Sequence, residues 1–267
     1  MKQQYNMNKL ILLVILSIRI VDGYAQSNSK WYLRTSFSYS KGSNQTLYLF
    51  DPLSHSEFNQ DEYATPSLGE AILFNAGAGY RFTKNFAIES NFAYLNGLDV
   101  PLYSFHTSNY KVAANMTNRQ ILFLPTTVFT IQLKKFNPYV KVGMMVPLYN
   151  QSSMTYKLSS SNGSREYEYD IKNQLNLGIN GCVGLSYALS KHWEIFVEAE
   201  EDNIRSFHKE ANMTKQSSQS NLSASVPSSN FTFVKQENLT NPQPNTALNF
   251  PISFNREAYI LGFKYNF

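Results

Sequence analysis

Cysteine is nearly missing from this chain: there is one, Cys182, in 267 residues. That excludes a disulfide framework and every zinc site built from several thiolates. Charged residues make up only 16%, and the net charge of +4 is small and spread along the chain, so no basic groove for nucleic acid is expected. Past the first 25 residues no run of 18 consecutive apolar residues occurs, and no helix of the mature chain is expected to cross a bilayer. The four histidines have no His-Glu-x-x-His spacing. Gly-x-Ser-x-Gly, a Gly-rich phosphate loop and a dinucleotide fingerprint are missing as well, so no motif asks for a cofactor or a metal. What abounds is Tyr (18) and Phe (19), set among Asn and Ser. That mixture suits strands with one greasy face and one small or polar face, and does not suit a helical bundle.

Residues 1–25 have the layout of an export leader. Lys2 and Lys9 precede the apolar run Leu10–Ile18, and Gly23 and Ala25 place small residues before a cut that leaves Gln26 as the mature start. The run is too short to span a bilayer, and Arg19 interrupts it. The mature unit, 26–267, is expected to be a single domain.

Period-two alternation recurs along that unit. Leu175 to Leu189 carries bulky apolar residues at odd positions, Gly181 excepted, and Asn, Gly, Cys, Ser or Ala at even ones, for fifteen residues. Similar patterns begin at Trp31, Ile72, Phe86, Tyr139, Trp193 and Tyr259. Gln120 to Gln132 is strand-like but apolar on both faces, and alternation does not orient it. Eight strands result, with tight connections at 83–85, 134–137 and 190–192 and long ones at 41–67, 96–118, 150–172 and 201–255. Ser159–Ser164 reads as a hairpin tip extending two strands beyond the membrane. Phe231–Val234 could add strands, so ten is the alternative count.

Short turns at one end and long polar loops at the other are the layout of a transmembrane antiparallel up-and-down β-barrel. In lipid every backbone N–H and C=O must be paired inside the protein, which strands achieve only by closing into a barrel. Trp31, Tyr80, Phe82, Phe86, Trp193, Tyr265 and Phe267 gather at the short-turn ends, where an interfacial aromatic girdle belongs.

The closing stretch carries a resemblance. Tyr259, Leu261, Phe263, Tyr265 and Phe267 look like the C-terminal signature of bacterial outer-membrane barrels, which the resemblance implies is read by the barrel-insertion machinery. With the Gly79–Phe86 turn and the Asn- and Tyr-rich strands, the chain resembles small outer-membrane barrel proteins of the Bacteroidetes type, related in shape to OmpA and OmpX. The resemblance implies the outer membrane of a Gram-negative cell, with lipid and lipopolysaccharide around the barrel.

Alternation assigns the charged strand residues to the lumen: Arg34, Arg81, Lys141 and Lys264 against Glu89, Glu194, Glu198 and Glu200. Charges taken out of water must be paired, so an ion-pair network plugging the barrel is expected. Its competitor is a narrow channel or transporter. A lipid or lipopolysaccharide hydrolase would need a nucleophile–base pair, for which His106-x-Ser108 with Asp99 is the one weak candidate. The favoured reading is a non-enzymatic scaffold whose loops carry any contact with an extracellular protein or glycan. Loop aromatics such as Tyr48, Phe58, Tyr103, Tyr156, Tyr167, Tyr169 and Phe231 would stack on a ligand or hold the loops together, the latter being favoured.

Overall fold

The computed structural model describes residues 30–43, 67–106, 110–133, 135–218, 230–234, 246–248 and 251–267. The expected leader and Tyr48, Phe58 and Ser108 lie outside the described residues. Fourteen strands and no helix are formed by what is described: β1 (Trp31–Gly42), β2 (Ala71–Arg81), β3 (Phe86–Gly97), β4 (Val100–His106), β5 (Tyr110–Thr130), β6 (Phe136–Ser160), β7 (Gly163–Asn173), β8 (Gly178–Ala188), β9 (Trp193–Asn203), β10 (Arg205–Ser218), β11 (Asn230–Val234), β12 (Thr246–Leu248), β13 (Pro251–Ser253) and β14 (Arg256–Asn266).

Eight of them close into an antiparallel barrel in the order β1-β2-β3-β5-β6-β8-β9-β14 and back to β1. The register shows how closure works. Cross-strand partners run Lys41, Glu257, Glu201, Gly181, Val142, Thr127, Ile88, Tyr80 and Trp31, returning to β1 ten residues lower on the same strand. Such a stagger tilts the strands and brings eight of them to a diameter that side chains can fill. Two of the tight turns share one device. Thr83 Oγ1 accepts the N–H groups of Asn85 and Phe86, and Ser190 Oγ accepts those of His192 and Trp193.

The faces separate by parity. On β1, Phe37 and Tyr39 are exposed while Tyr32, Arg34, Ser36, Ser38 and Ser40 are buried. An aromatic belt rings the short-turn end: Trp31 lies 4.9 Å from Tyr80, Tyr80 5.1 Å from Phe82, and Trp193 5.0 Å from Tyr265, which meets Phe267 at 5.2 Å. Tyr39, Tyr94, Tyr149 and Tyr259 are exposed toward the other end. From Trp31 to Tyr39 is about 26 Å along the strand, which matches a membrane strand of about 9–11 residues.

Above that level the barrel continues. β5 and β6 are 21 and 25 residues long and stay paired to the tip at Ser160–Gly163, where Gly163 takes the turn at φ 130°. β4 follows β3 along β5, β7 precedes β8 along β6, β10 follows β9, and β13 leads into β14. Here the polarity inverts. The outward residues of β5 are Ile121, Phe123 and Phe129 below, but Lys111, Asn115 and Arg119 above. The inward ones become Val112, Ala114 and Met116. An apolar core fills this cap: Val100, Leu102, Met154, Tyr156, Tyr167, Tyr169, Ile171 and Phe254, with Leu68 reaching in from the β1–β2 connection. The ladders are interrupted where the inversion falls, at a bulge in β6 beside Ile121–Leu122, at 174–177, at Ile204 and at 254–255. Ile204 N–H donates to Asn255 Oδ1, and Ser67 Oγ donates to Asn255 O, stapling this waist.

Two expectations are corrected. Leu175 and Leu177 are exposed but precede β8, because the backbone at Gln174 bonds to Phe207 and breaks the ladder. The described residues of 96–118 and 201–255 are largely strand, not loop, because their inward faces bury an apolar core, while in 150–172 the expected hairpin extends above the membrane as β6 and β7. The expected eight barrel strands are found, and the alternative of ten falls, since β11, which holds Phe231–Val234, pairs with β10 in the cap rather than entering the barrel wall. β5 is oriented by its register, with Leu122, Leu124 and Val128 inside.

Candidate functional site: the barrel lumen

Each of the eight charged residues expected in the lumen faces inward, and they fall into tiers. In the middle tier, Arg34 Nη1 donates to Glu89 Oε2 at 2.6 Å, and Arg34 Nη2 reaches both oxygens of Glu198 at 3.0 and 2.9 Å. Lys141 Nζ sits 2.6 Å from Glu198 and 3.4 Å from Glu89. Two cations and two carboxylates therefore alternate around one square. Two tyrosines complete it: Tyr32 OH donates to Glu89 at 2.9 Å and Tyr139 OH to Glu198 at 2.6 Å.

The tyrosines reach those oxygens because their cross-strand partners are glycines. A Cβ on Gly79 would lie 2.1 Å from the Tyr32 ring, and one on Gly184 would lie 2.4 Å from Tyr139. Phe196 covers Gly262 in the same way, and the Arg34 guanidinium stacks 4.3 Å from the Phe196 ring. Three rings lie against bare backbone and leave the barrel axis to the charges.

Toward the short turns, Glu194 takes Arg81 at 3.4 Å, Lys264 at 3.6 Å and Asn266 Nδ2 at 2.8 Å. A polar hollow of about 40 Å³ opens beside them. Toward the cap, Arg256 pairs with Asp202 and lies 3.9 Å from Glu200, which also accepts from Asn180 at 3.4 Å. Arg256 and Asp202 were not among the residues expected, because Asp202 fell in the supposed loop 201–255 and Arg256 just past its end, before the strand read from Tyr259. Continuing the alternation Glu198, Glu200 by one step would have found Asp202. With them the lumen holds five charges of each sign. Above the middle tier, level with the Arg256 pair, the rest of the lumen is apolar, lined by Leu73, Leu95, Leu122, Leu124 and Met145. The expectation of a wholly charged and polar filling is corrected to that extent.

A second polar cluster sits at the waist and was not foreseen. Asn173 Nδ2 donates to Asn150 Oδ1 and Ser152 Oγ, Gln120 Nε2 to Asn150 Oδ1, and Ser152 Oγ to Asn118 Oδ1. His208 Nδ1 lies 2.8 Å from Asn173 Oδ1. His208 belongs to β10, above the membrane-spanning segments, and its burial lowers its pKa to about 3. The folded cap thus holds a neutral imidazole, while the unfolded chain takes up a proton near pH 6.5. Stability is full above that value and drains as the pH falls toward 3, at about 1.4 kcal/mol per unit. Acid titration of cap unfolding should show this slope, and a His208→Gln variant should flatten it.

The other candidates separate. Asp99 Oδ2 accepts from Asn115 Nδ2 at 2.8 Å, and His106 ends β4. Cys182 is a buried thiol facing the lumen. Of the loop aromatics, Tyr156, Tyr167 and Tyr169 pack in the cap core. Tyr259, Leu261 and Phe263 face outward, and Tyr265 joins the lower belt.

A closed eight-stranded barrel with an apolar belt outside and paired charges inside is a protein of the outer-membrane type. The chain belongs to the outer membrane protein beta-barrel domain family, whose model matches residues 10–226. Among solved structures, the chain is similar to Neisserial surface protein A, at 9% identity over 91% of this chain and 100% of that one, with a TM-score of 0.41. The attachment invasion locus protein Ail of Yersinia pestis matches at 12% identity over 90% and 100%, with a TM-score of 0.35. The outer membrane protease OmpT of Escherichia coli matches at 8% over 90% and 94%, with a TM-score of 0.33. No curated protein matches the chain.

Proposed function

We propose that this chain is a non-enzymatic scaffold of the outer membrane, with a sealed lumen, which holds a rigid β-cap at the cell surface for contact with an extracellular protein or glycan. The observation that carries this reading is the lumen itself: a charge-balanced middle tier locked by two tyrosines, with an apolar column above it. An ion moving along the axis would have to break the Arg34–Glu89–Lys141–Glu198 square and then cross Leu122, Leu124 and Met145. The cap's outward face supports a role in water, with surface ion pairs Lys172–Glu210 and Lys215–Glu168.

In planar bilayers the purified protein should give no stable conductance steps; steady nanosiemens openings would overturn the sealed lumen. Incubation with purified lipid should release no fatty acid. In this reading residues 1–25 direct export in a Gram-negative cell of the Bacteroidetes type, and the alternating Tyr259–Phe267 stretch is what the insertion machinery reads.

A further inference from the structure

The lumenal charges balance over the whole barrel but not tier by tier. The upper tier sets Glu200 and Asp202 against Arg256, an excess of one carboxylate. The middle tier is even. The lower tier, at the short-turn mouth, sets Arg81 and Lys264 against Glu194, an excess of one cation. Its contacts are also long: 3.4 Å from Arg81 and 3.6 Å from Lys264, against 2.6 Å for the best pairs of the middle tier.

Lys264 is the sharper case. The residue is only 8% exposed, yet its Nζ has no hydrogen-bond acceptor among the described residues. Glu194 Oε2 stands just out of reach, and the rings of Tyr32 and Tyr139 face the ammonium at 4.9 and 5.5 Å. An ammonium taken out of water with its donors unused is costly. Arg81 stacks 4.5 Å from the Tyr32 ring and makes one long contact, to Glu194. Glu194 does not satisfy both cations, because its Oε1 already accepts from Asn266 Nδ2 at 2.8 Å. Arg81, Lys264 and Glu194 line the polar hollow of about 40 Å³, with Lys84 at its rim. Unused donors of both inner cations therefore face one small space.

The surface around the mouth has the same sign. Lys30, Lys84, Lys135 and Lys191 are exposed on or beside the short turns, and Glu194 is the one acidic side chain among the described residues of that end. Lysines on the turns can snorkel to lipid phosphates. Arg81 and Lys264 cannot, because they face the barrel interior, where no lipid lies. We propose that the hollow is an oxyanion site: a carboxylate or phosphate group of a water-borne ligand on the short-turn side, periplasmic in an outer-membrane barrel, seats between Arg81 and Lys264. The guanidinium and the ammonium would each give it charge-assisted hydrogen bonds. A hollow of about 40 Å³ has room for roughly three waters, which suits one such group and excludes a sugar or an aromatic ring. The lysines around the mouth raise the local concentration of anions. The site lies below the middle tier and does not depend on whether the lumen conducts.

The test uses the mature chain, isotope-labelled and refolded in a zwitterionic detergent, titrated with inorganic phosphate and separately with acetate at constant ionic strength. The amide signals of Asn85 and Gln132, which line the hollow, should shift along a saturating curve with a Kd of about 1 mM. Arg81→Gln and Lys264→Met should each weaken phosphate binding about tenfold. Lys191→Gln, outside the hollow, should weaken it less than about twofold, as expected of a screened surface charge. The heat-resistant compact band on gels reports folding of each variant. Should Lys264→Met lose it, Arg81→Gln, whose side chain is 26% exposed at the mouth, carries the test. Shifts that do not saturate, or equal weakening by all three substitutions, would mean diffuse attraction to the lysines and would overturn the proposal. The same shifts produced by phosphatidylglycerol nanodiscs without added anion would also overturn it, in favour of a lipid headgroup.

Discussion

Replacing Arg34 with methionine should lower the unfolding free energy of the barrel by about 3–5 kcal/mol, the usual cost of removing one partner from a buried ion pair. Arg34 serves both Glu89 and Glu198, so its loss leaves two enclosed carboxylates to share Lys141, which lies 2.6 Å from one and 3.4 Å from the other. Tyr32 and Tyr139 would still donate to them, but a neutral hydroxyl offsets little of a full charge. Urea unfolding from lipid vesicles, followed through the fluorescence of Trp31 and Trp193 at the short-turn end, measures this directly. Adding Glu89→Gln should restore part of the loss, because charge balance in the square returns. A drop under about 1 kcal/mol would mean that water screens the tier as it does a surface pair.

Tyr156→Ala should have an effect of similar size, about 3–5 kcal/mol, but in a different place. Tyr156 is fully buried among Tyr167, Met154 and Ile171 in the cap core, with the Tyr167 ring 6.2 Å away. That core runs down to Leu122, Leu124 and Met145 but is separate from the cluster of Tyr32, Tyr139 and Phe196 around the middle tier. Limited proteolysis should therefore cut the variant within 150–218 while the barrel keeps its heat-resistant band. Simultaneous loss of both would show that cap and barrel unfold as one unit.

Much of this architecture was legible as alternation. Seven strands could be placed and faced from residues such as Phe37 against Arg34, or Val142 against Lys141, because lipid outside and charge inside give the two faces unlike chemistry. β5 escaped orientation because Leu122 and Leu124 are as apolar as Ile121 and Phe123: near the waist the lumen itself is hydrophobic. Apart from the hairpin at Ser159–Ser164, the cap was missed for a related reason. Its strands follow the rule of a protein in water, with Val112, Met116 and Tyr156 inside and Lys111 and Lys157 outside, and beside a membrane pattern they look like polar loop. Arg256, Asp202 and the amide cluster around Asn150 were lost with them. The lumenal tyrosines Tyr32 and Tyr139 alternate in phase with Arg34 and Lys141, but only the register that sets Gly79 and Gly184 against their rings explains how they reach the acids.

The long β5–β6 pair has a mechanical meaning. Its hydrogen bonds run without a change of partner from Thr130–Tyr139 in the bilayer to Tyr110–Ser160 near the tip. A tug on the tip would be carried down two rods rooted in the membrane and would load many backbone bonds side by side, in shear. Rungs strained in parallel give way together or not at all, so whatever grips the far end of this molecule pulls against the bilayer and not against a flexible tether.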